Sequence, residues 1–228
     1  MKKLLCCLLA LILILSLAAC GAENPADDPG GQTDPGGQTD PGTEKFEYGT
    51  DYINSKLAGD YSISYKISST ESKEETVTYT TTMIHTSAGY YLSMGDENQL
   101  LFIKNGDGYD MYMYDSENGF EKVDGMSLSE DEVKTQTFAF SGYMTSYAQF
   151  EDSLKKTGSQ TIAGRSCDAY AFDYAGLGVA MKYEYCIDKA TGVCMKFQIS
   201  GSTSEGSGQY TFECTEFLTS GVSLPAYN

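Results

Sequence analysis

From Tyr61 to Phe217 the chain is dominated by apolar and polar residues in alternation, broken by short turn signals. Tyr61, Ile63, Tyr65 and Ile67 fall on one side of an extended backbone, and Ser62, Ser64 and Lys66 on the other. Successive side chains of a β-strand point to opposite faces, so this period describes half-buried strands and no helix. The same reading predicts strands over 75–85, with Val77, Tyr79 and Met83 inward, and over 89–94, 99–104 and 109–115. Asn105-Gly-Asp-Gly108 and Asn118-Gly119 supply hairpin turns. Alternation returns after Gly158, through Asp168–Tyr174, Tyr183–Ile187, Val193–Ile199 and Tyr210–Phe217. A chain with 18 Tyr and no Trp, rich in Thr and Ser, has the composition such strands require.

Two stretches break the pattern. Phe46–Ala58 reads as a short helix with Phe46, Ile53 and Leu57 on its apolar side. Ser129-Glu-Asp-Glu132 has capping-box spacing, and Tyr143, Tyr147, Phe150 and Leu154 follow at steps of four, three and four, one stripe of an amphipathic helix. Short turns make sequential strands antiparallel neighbours. The expected fold is therefore mainly β (α+β): a curled antiparallel half-barrel of about nine strands, with helices covering its concave face. Wherever the helices do not reach, an apolar groove is expected, and Met111, Met113, Tyr143, Tyr147 and Phe150 are its candidate lining. Methionine and aromatic side chains suit a pliable apolar site. Core packing is the competing role for each of them.

The first 43 residues are of another kind. Lys2 and Lys3 precede 14 residues, Leu4 to Leu17, that are almost wholly apolar. A membrane span needs about 20, so this is a secretory signal peptide, residues 1–19. Leu17-Ala-Ala-Cys20, with Gly21 next, resembles the lipobox of bacterial lipoproteins. That resemblance implies cleavage before Cys20 and acylation of Cys20, hence an extracytoplasmic protein held on a bacterial membrane. Two or three acyl chains anchor a protein stably where one does so only marginally. Cys6 and Cys7 fall in the removed segment. From 20 to 43 the sequence repeats Asp-Pro-Gly-Gly-Gln-Thr, which supports no packed structure. As a Gly-rich coil it reaches about 25–30 Å. The folded domain is expected over 44–228.

The chain has 15 Lys+Arg and 32 Asp+Glu, a net charge of −17; without Lys2 and Lys3 the balance is 13 − 32 = −19. Such a protein repels nucleic acid and anionic headgroups, so the anchor and not charge is expected to hold it at the membrane.

The C-terminal half carries a second resemblance. Gly158-x-x-x-Ile162-Ala-Gly164, then Tyr170, Ile187-Asp188-x-x-Thr191-Gly192 and the closing Val222-x-Leu224-Pro225 resemble the LolA/LolB/LppX-like lipoprotein-carrier superfamily. The resemblance implies a half-closed antiparallel barrel with a helical lid that binds acyl chains or whole lipids. Relatives often carry a Trp before the Ile-Asp pair, and none stands before Ile187 here.

Cys167, Cys186, Cys194 and Cys214 are expected in a row at one end of the C-terminal sheet. Pairing across the Asp188–Gly192 turn sets Ile187 opposite Val193 and Cys186 opposite Cys194. An exported compartment permits disulfides, as 167–186 with 194–214 or as 186–194. A row of cysteines along a sheet makes no tetrahedron and no Cys-x-x-Cys is present, so no metal site is expected. His85 is the sole histidine, which leaves the common serine and cysteine hydrolase arrangements without a base. The carboxylate pairs Asp96/Glu97 and Glu130/Asp131/Glu132 fall in turns and caps. No phosphate loop or cofactor motif occurs. The sequence thus points to a monomeric, membrane-anchored, non-enzymatic binder or carrier of a lipid or other apolar ligand. An envelope interaction or sensor module without a small-molecule ligand is the alternative.

Overall fold

The computed structural model describes residues 46–71, 75–176, 179–203 and 206–227, without the side chains of 50, 51, 54 and 138–141. The chain divides into two units at Thr43/Glu44, and the described residues belong to the second. The expected signal peptide, Cys20 and the repeat linker lie outside the described residues. Among those described, no helix is long and apolar enough to cross a membrane.

The alternating segments form eleven strands in a single antiparallel sheet, where about nine were expected. They are β1 (Tyr61–Glu71), β2 (Val77–Thr86), β3 (Gly89–Met94), β4 (Asn98–Asn105), β5 (Gly108–Asp115), β6 (Gly119–Leu128), β7 (Lys155–Ile162), β8 (Arg165–Gly176), β9 (Val179–Asp188), β10 (Cys194–Thr203) and β11 (Gly206–Leu218). Their order is β6-β5-β4-β3-β2-β1-β11-β10-β9-β8-β7. Two meanders thus run outward and back, and close against each other where β1 pairs β11. The two strands that alternation did not reveal, β6 and β7, are the two edges. In β7 every residue but Ile162 is exposed, so no face of it had to be apolar.

The connection between the meanders is α2 (Glu130–Met144), followed by a 3-10 segment, Ala148–Ser153. The predicted stripe is therefore not one helix: Tyr143 ends α2, Tyr147 lies in the turn and Phe150 in the 3-10 segment. Near its start α2 sets Val133 against Phe102 and Tyr109. At its end Tyr143 packs on Phe212, centroids 5.1 Å apart. The helices do not cover the face as expected. One 15-residue helix crosses an eleven-stranded sheet, and much of β2–β5 stays uncovered.

The core lies on the helix face of β8–β11 and β1. Tyr185, Phe197, Phe212 and Tyr65 form a continuous aromatic row with successive centroids 4.9, 5.2 and 5.3 Å apart. Each such side chain removed from water contributes about 1.5–3 kcal/mol. The Asp188–Gly192 turn pins the remainder. Asp188 Oδ2 accepts hydrogen bonds from Thr191 N and Oγ1 and pairs with Arg165 at 2.7 Å. Gly192 has φ of 76°, and a Cβ there would meet Tyr52 at 2.8 Å. Its carbonyl accepts the Tyr147 hydroxyl at 2.6 Å. The expected first helix is shorter, α1 (Thr50–Lys56). Phe46 and Tyr48 precede it and pack on Tyr170.

Candidate functional site

Register fixes which side chains share the uncovered part of the helix face. Leu92 on β3 stands opposite Leu100 on β4, and Leu100 opposite Met113 on β5. Met94 lies two residues along β3 from Leu92, opposite Thr81 on β2, and Thr81 shares its face with Tyr79 and Val77. Val77 is 64% exposed, Met94 62%, Met113 53% and Tyr79 42%, and Leu92 and Leu100 are half-buried. Across four strands this is an apolar strip about 14 Å long, at about 4.8 Å per strand step. Beyond it stand Glu121, paired with Met113 on β6, and Asn98, paired with Met94 on β4. Leu92 and Leu100, like Met111, pack against the cluster of Phe102, Tyr109 and Val133, so the strip runs along the edge of that cluster.

At the β1 end the strip meets hydroxyl groups. Tyr79 on β2 and Tyr210 on β11 flank β1, opposite Ile67 and Ser69. The hydroxyls of Tyr79, Tyr143 and Tyr210 hydrogen-bond one another. A phenol is protonated at neutral pH, and burial raises the pKa of Tyr79 and Tyr210 further.

Of the five residues expected to line a groove, Met113 and Tyr143 border this strip. Met111 lies beneath α2 beside Phe102. Tyr147 is fully buried, and Phe150 packs on Phe172 and Tyr183 over β8 and β9, so these two belong to the core of the other half. The strip residues sequence reasoning passed over, Leu92, Met94 and Leu100, carry the right alternation; only the pairing register shows that they meet. Val77 and Tyr79 were expected inward and are exposed; of α2, only Tyr143 at its end meets Tyr79.

A separate open trough of about 820 Å³ lies at the far ends of β1 and β8–β11. Thr70, Ser200, Ser207, Gln209 and Lys182 contribute polar groups to its walls, and Tyr174, Ala175, Ala180 and Met181 contribute apolar ones, so its surface is mixed.

Cys167, Cys186, Cys194 and Cys214 are buried free thiols, and none of the considered disulfides is formed. The expected pairing of Cys186 with Cys194 fails for a physical reason. A bulge at Met195 sets Cys194 opposite Ile187 and Lys196 opposite Cys186. Among the described residues no group of three or more His, Cys, Asp or Glu could hold a metal ion. His85 packs between Tyr61 and Tyr90, with Nδ1 3.2 Å from the Gly59 carbonyl.

The chain is thus an open antiparallel sheet with one helix laid across a face and an apolar strip beside it. No protein-family model matches the sequence, and no curated protein does. Several solved structures are similar in chain course. One belongs to the Pseudomonas aeruginosa MucA/MucB complex: identity 12%, TM-score 0.41, 77% of this chain and 56% of that one. This chain therefore spans little more than half of it. A LolA superfamily protein of Nitrosomonas europaea gives 8% identity and TM-score 0.29 over 78% and 96% of the two chains. A putative outer membrane lipoprotein-sorting protein domain of Vibrio parahaemolyticus gives 10% and 0.25 over 77% and 94%. Likenesses this distant assign no family.

Proposed function

We propose that the protein is a lipid-anchored, extracytoplasmic, non-enzymatic binder of an apolar ligand, and that the ligand is an alkyl chain lying along the strip. What supports it is the strip itself: Met94 and Met113 exposed, with half-buried Leu92 and Leu100 between them, on adjacent strands of one face. Isolated exposed apolar residues are ordinary; here they adjoin one another across paired strands, which is what makes a small contact surface of them. Its size selects the class of ligand. A specific protein interface buries about 800 Å² per partner. A strip about 14 Å by 7 Å, from strand spacing and a two-residue repeat, offers on the order of 100 Å². That is narrow for a folded partner and wide enough for one chain. Unbranched methionines at 94 and 113 adapt to a flexible occupant.

The anchor reading rests on Leu17-Ala-Ala-Cys20 after a short apolar run. Cys20→Ala is expected to shift the protein from the membrane fraction to the soluble extracytoplasmic fraction; unchanged fractionation removes the anchor. For the strip, titration calorimetry of the chain with monomyristoylglycerol is expected to show saturable binding that weakens about tenfold or more in Met94→Glu/Met113→Glu, equivalent to about 1.4 kcal/mol. Both side chains are exposed, so the variant keeps the fold. Undetectable binding, or identical binding by the variant, overturns the reading.

A further inference from the structure

We propose that the ligand of this strip is amphipathic, with an uncharged, hydroxyl-bearing head seated on the Tyr79–Tyr143–Tyr210 cluster and its chain running over Met94, Leu92, Leu100 and Met113. This rests on the apolar-ligand reading above and names the ligand's polar end.

The placement comes first. The cluster stands at one end of the strip: Tyr79 belongs to the exposed row, and Tyr143 and Tyr210 adjoin it across β1. A chain lying on the strip ends either there or at Met113, where Glu121 stands opposite on β6. Hydroxyl count comes next. Each tyrosine hydroxyl has one donor and lone pairs to accept. Hydroxyls grouped this way keep lone pairs to accept beyond the bonds they share. Rotation of one O–H supplies an outward donor. A head with its own hydroxyls matches this, since it donates and accepts at once.

Charge argues against an anionic head. No Lys or Arg occupies a helix-face position in β1, β2, β3 or β11. Glu71 shares that face of β1, opposite Gly208. Among the described residues of these strands a carboxylate or phosphate head would find no counter-charge, and it would lie beside an acidic residue on a chain of net −17. Tyr79 and Tyr210 keep their protons and present no phenolate to a cation, so a cationic head would be drawn only by Glu71 at the edge of the group.

The test compares monomyristoylglycerol, myristate and myristoylcholine against the chain by calorimetry, below their micelle concentrations. Monomyristoylglycerol is expected to bind about tenfold more tightly than either of the others. Tyr79→Phe/Tyr210→Phe removes two hydroxyls and little volume. It is expected to bring the three affinities within about twofold to threefold, with thermal stability kept. Equal binding of all three by the unaltered chain, or tightest binding of myristate or myristoylcholine, overturns the head assignment and leaves the apolar-ligand reading standing. A preference for monomyristoylglycerol that survives the double Phe variant also overturns the assignment to these tyrosines. No binding of any probe overturns both.

Discussion

Cys167, Cys186, Cys194 and Cys214 show how burial governs chemistry residue by residue. Removal from water disfavours the thiolate, which is the reactive form, and pushes Cys186 up to about 11 and Cys167 and Cys214 up to about 12. Cys194 is raised further by the same cause. Iodoacetamide at pH 8 is therefore expected to leave the four unmodified in the folded chain and to label all four in denaturant without reductant. Rapid labelling of the native protein refutes the burial; failure to label in denaturant reveals disulfides. Asp168 illustrates the opposite balance. Burial acts to raise its pKa, but the Tyr48 hydroxyl at 2.9 Å and the ammonium groups of Lys189 and Lys156, at 3.1 and 3.5 Å, outweigh it and hold the carboxyl below its ordinary value. A carboxyl depressed on folding stabilises the protein above the unfolded pKa, near 3.9, and loses that contribution as pH falls through the folded value. Asp168→Asn is expected to flatten this part of the acid-unfolding curve. Tyr48→Phe is expected to lower stability by about 1–2 kcal/mol in urea melts, as for loss of a hydrogen bond to a charged partner. An Asp168→Asn chain that unfolds in acid as the parent does would remove Asp168 from that transition.

At the scale of elements, α2 is specified most plainly at its start. Ser129 N and Oγ donate to Glu132 Oε2 at 2.8 and 2.7 Å, and Glu132 N donates to Ser129 Oγ at 3.3 Å, a complete capping box. Ser129→Ala is expected to cost about 1 kcal/mol, read as a lower urea midpoint with an unchanged slope. An unchanged midpoint would mean that Val133, fully buried against Phe102, holds this end by itself. The cap was legible because Ser129 and Glu132 make a local motif. The central strands were legible because a half-buried strand must alternate, as in Tyr61–Ile67. The edges were not: β7, Lys-Lys-Thr-Gly-Ser-Gln-Thr-Ile, buries only its last residue, so nothing obliges it to alternate. Register was lost at Met195, because a bulge adds one residue to a strand without marking the sequence, and the Cys186–Cys194 pairing went with it. The candidate site was half legible. Met113 and Tyr143 stood out by type, but Leu92, Met94 and Tyr79 join them only through three successive pairings that no local pattern encodes.

In the whole molecule, the N-terminal meander has an apolar cluster on each face, which one helix cannot satisfy. Phe102, Tyr109 and Val133 form the cluster on the helix side. Leu101, Tyr112 and Phe120 form the other, with Tyr91, Ile103 and Tyr114 around it. The sheet order supplies the second cover. Since β11 lies at the centre beside β1, the chain leaving Leu218 starts within reach of both halves, and it runs back over β3–β6. Leu224 packs into the second cluster, and Tyr227 lies 5.2 Å from Tyr112. Residues 219–227 form no helix or strand, so side chains carry this attachment. Leu224 is half-buried, and its replacement by Asp is expected to cost about 1–2 kcal/mol, part of the value of a fully buried leucine. At about 2–4 °C per kcal/mol for a domain of this size, the melting temperature should fall by about 2–8 °C. The freed cluster should bind an apolar dye at temperatures well below the melt. The strip on the opposite face is untouched by the change, so alkyl-chain binding should persist. A Leu224→Asp chain that melts with the parent and binds no dye would show that the final segment does not close this face, and Leu101, Tyr112 and Phe120 would then have to be shielded by their own neighbours.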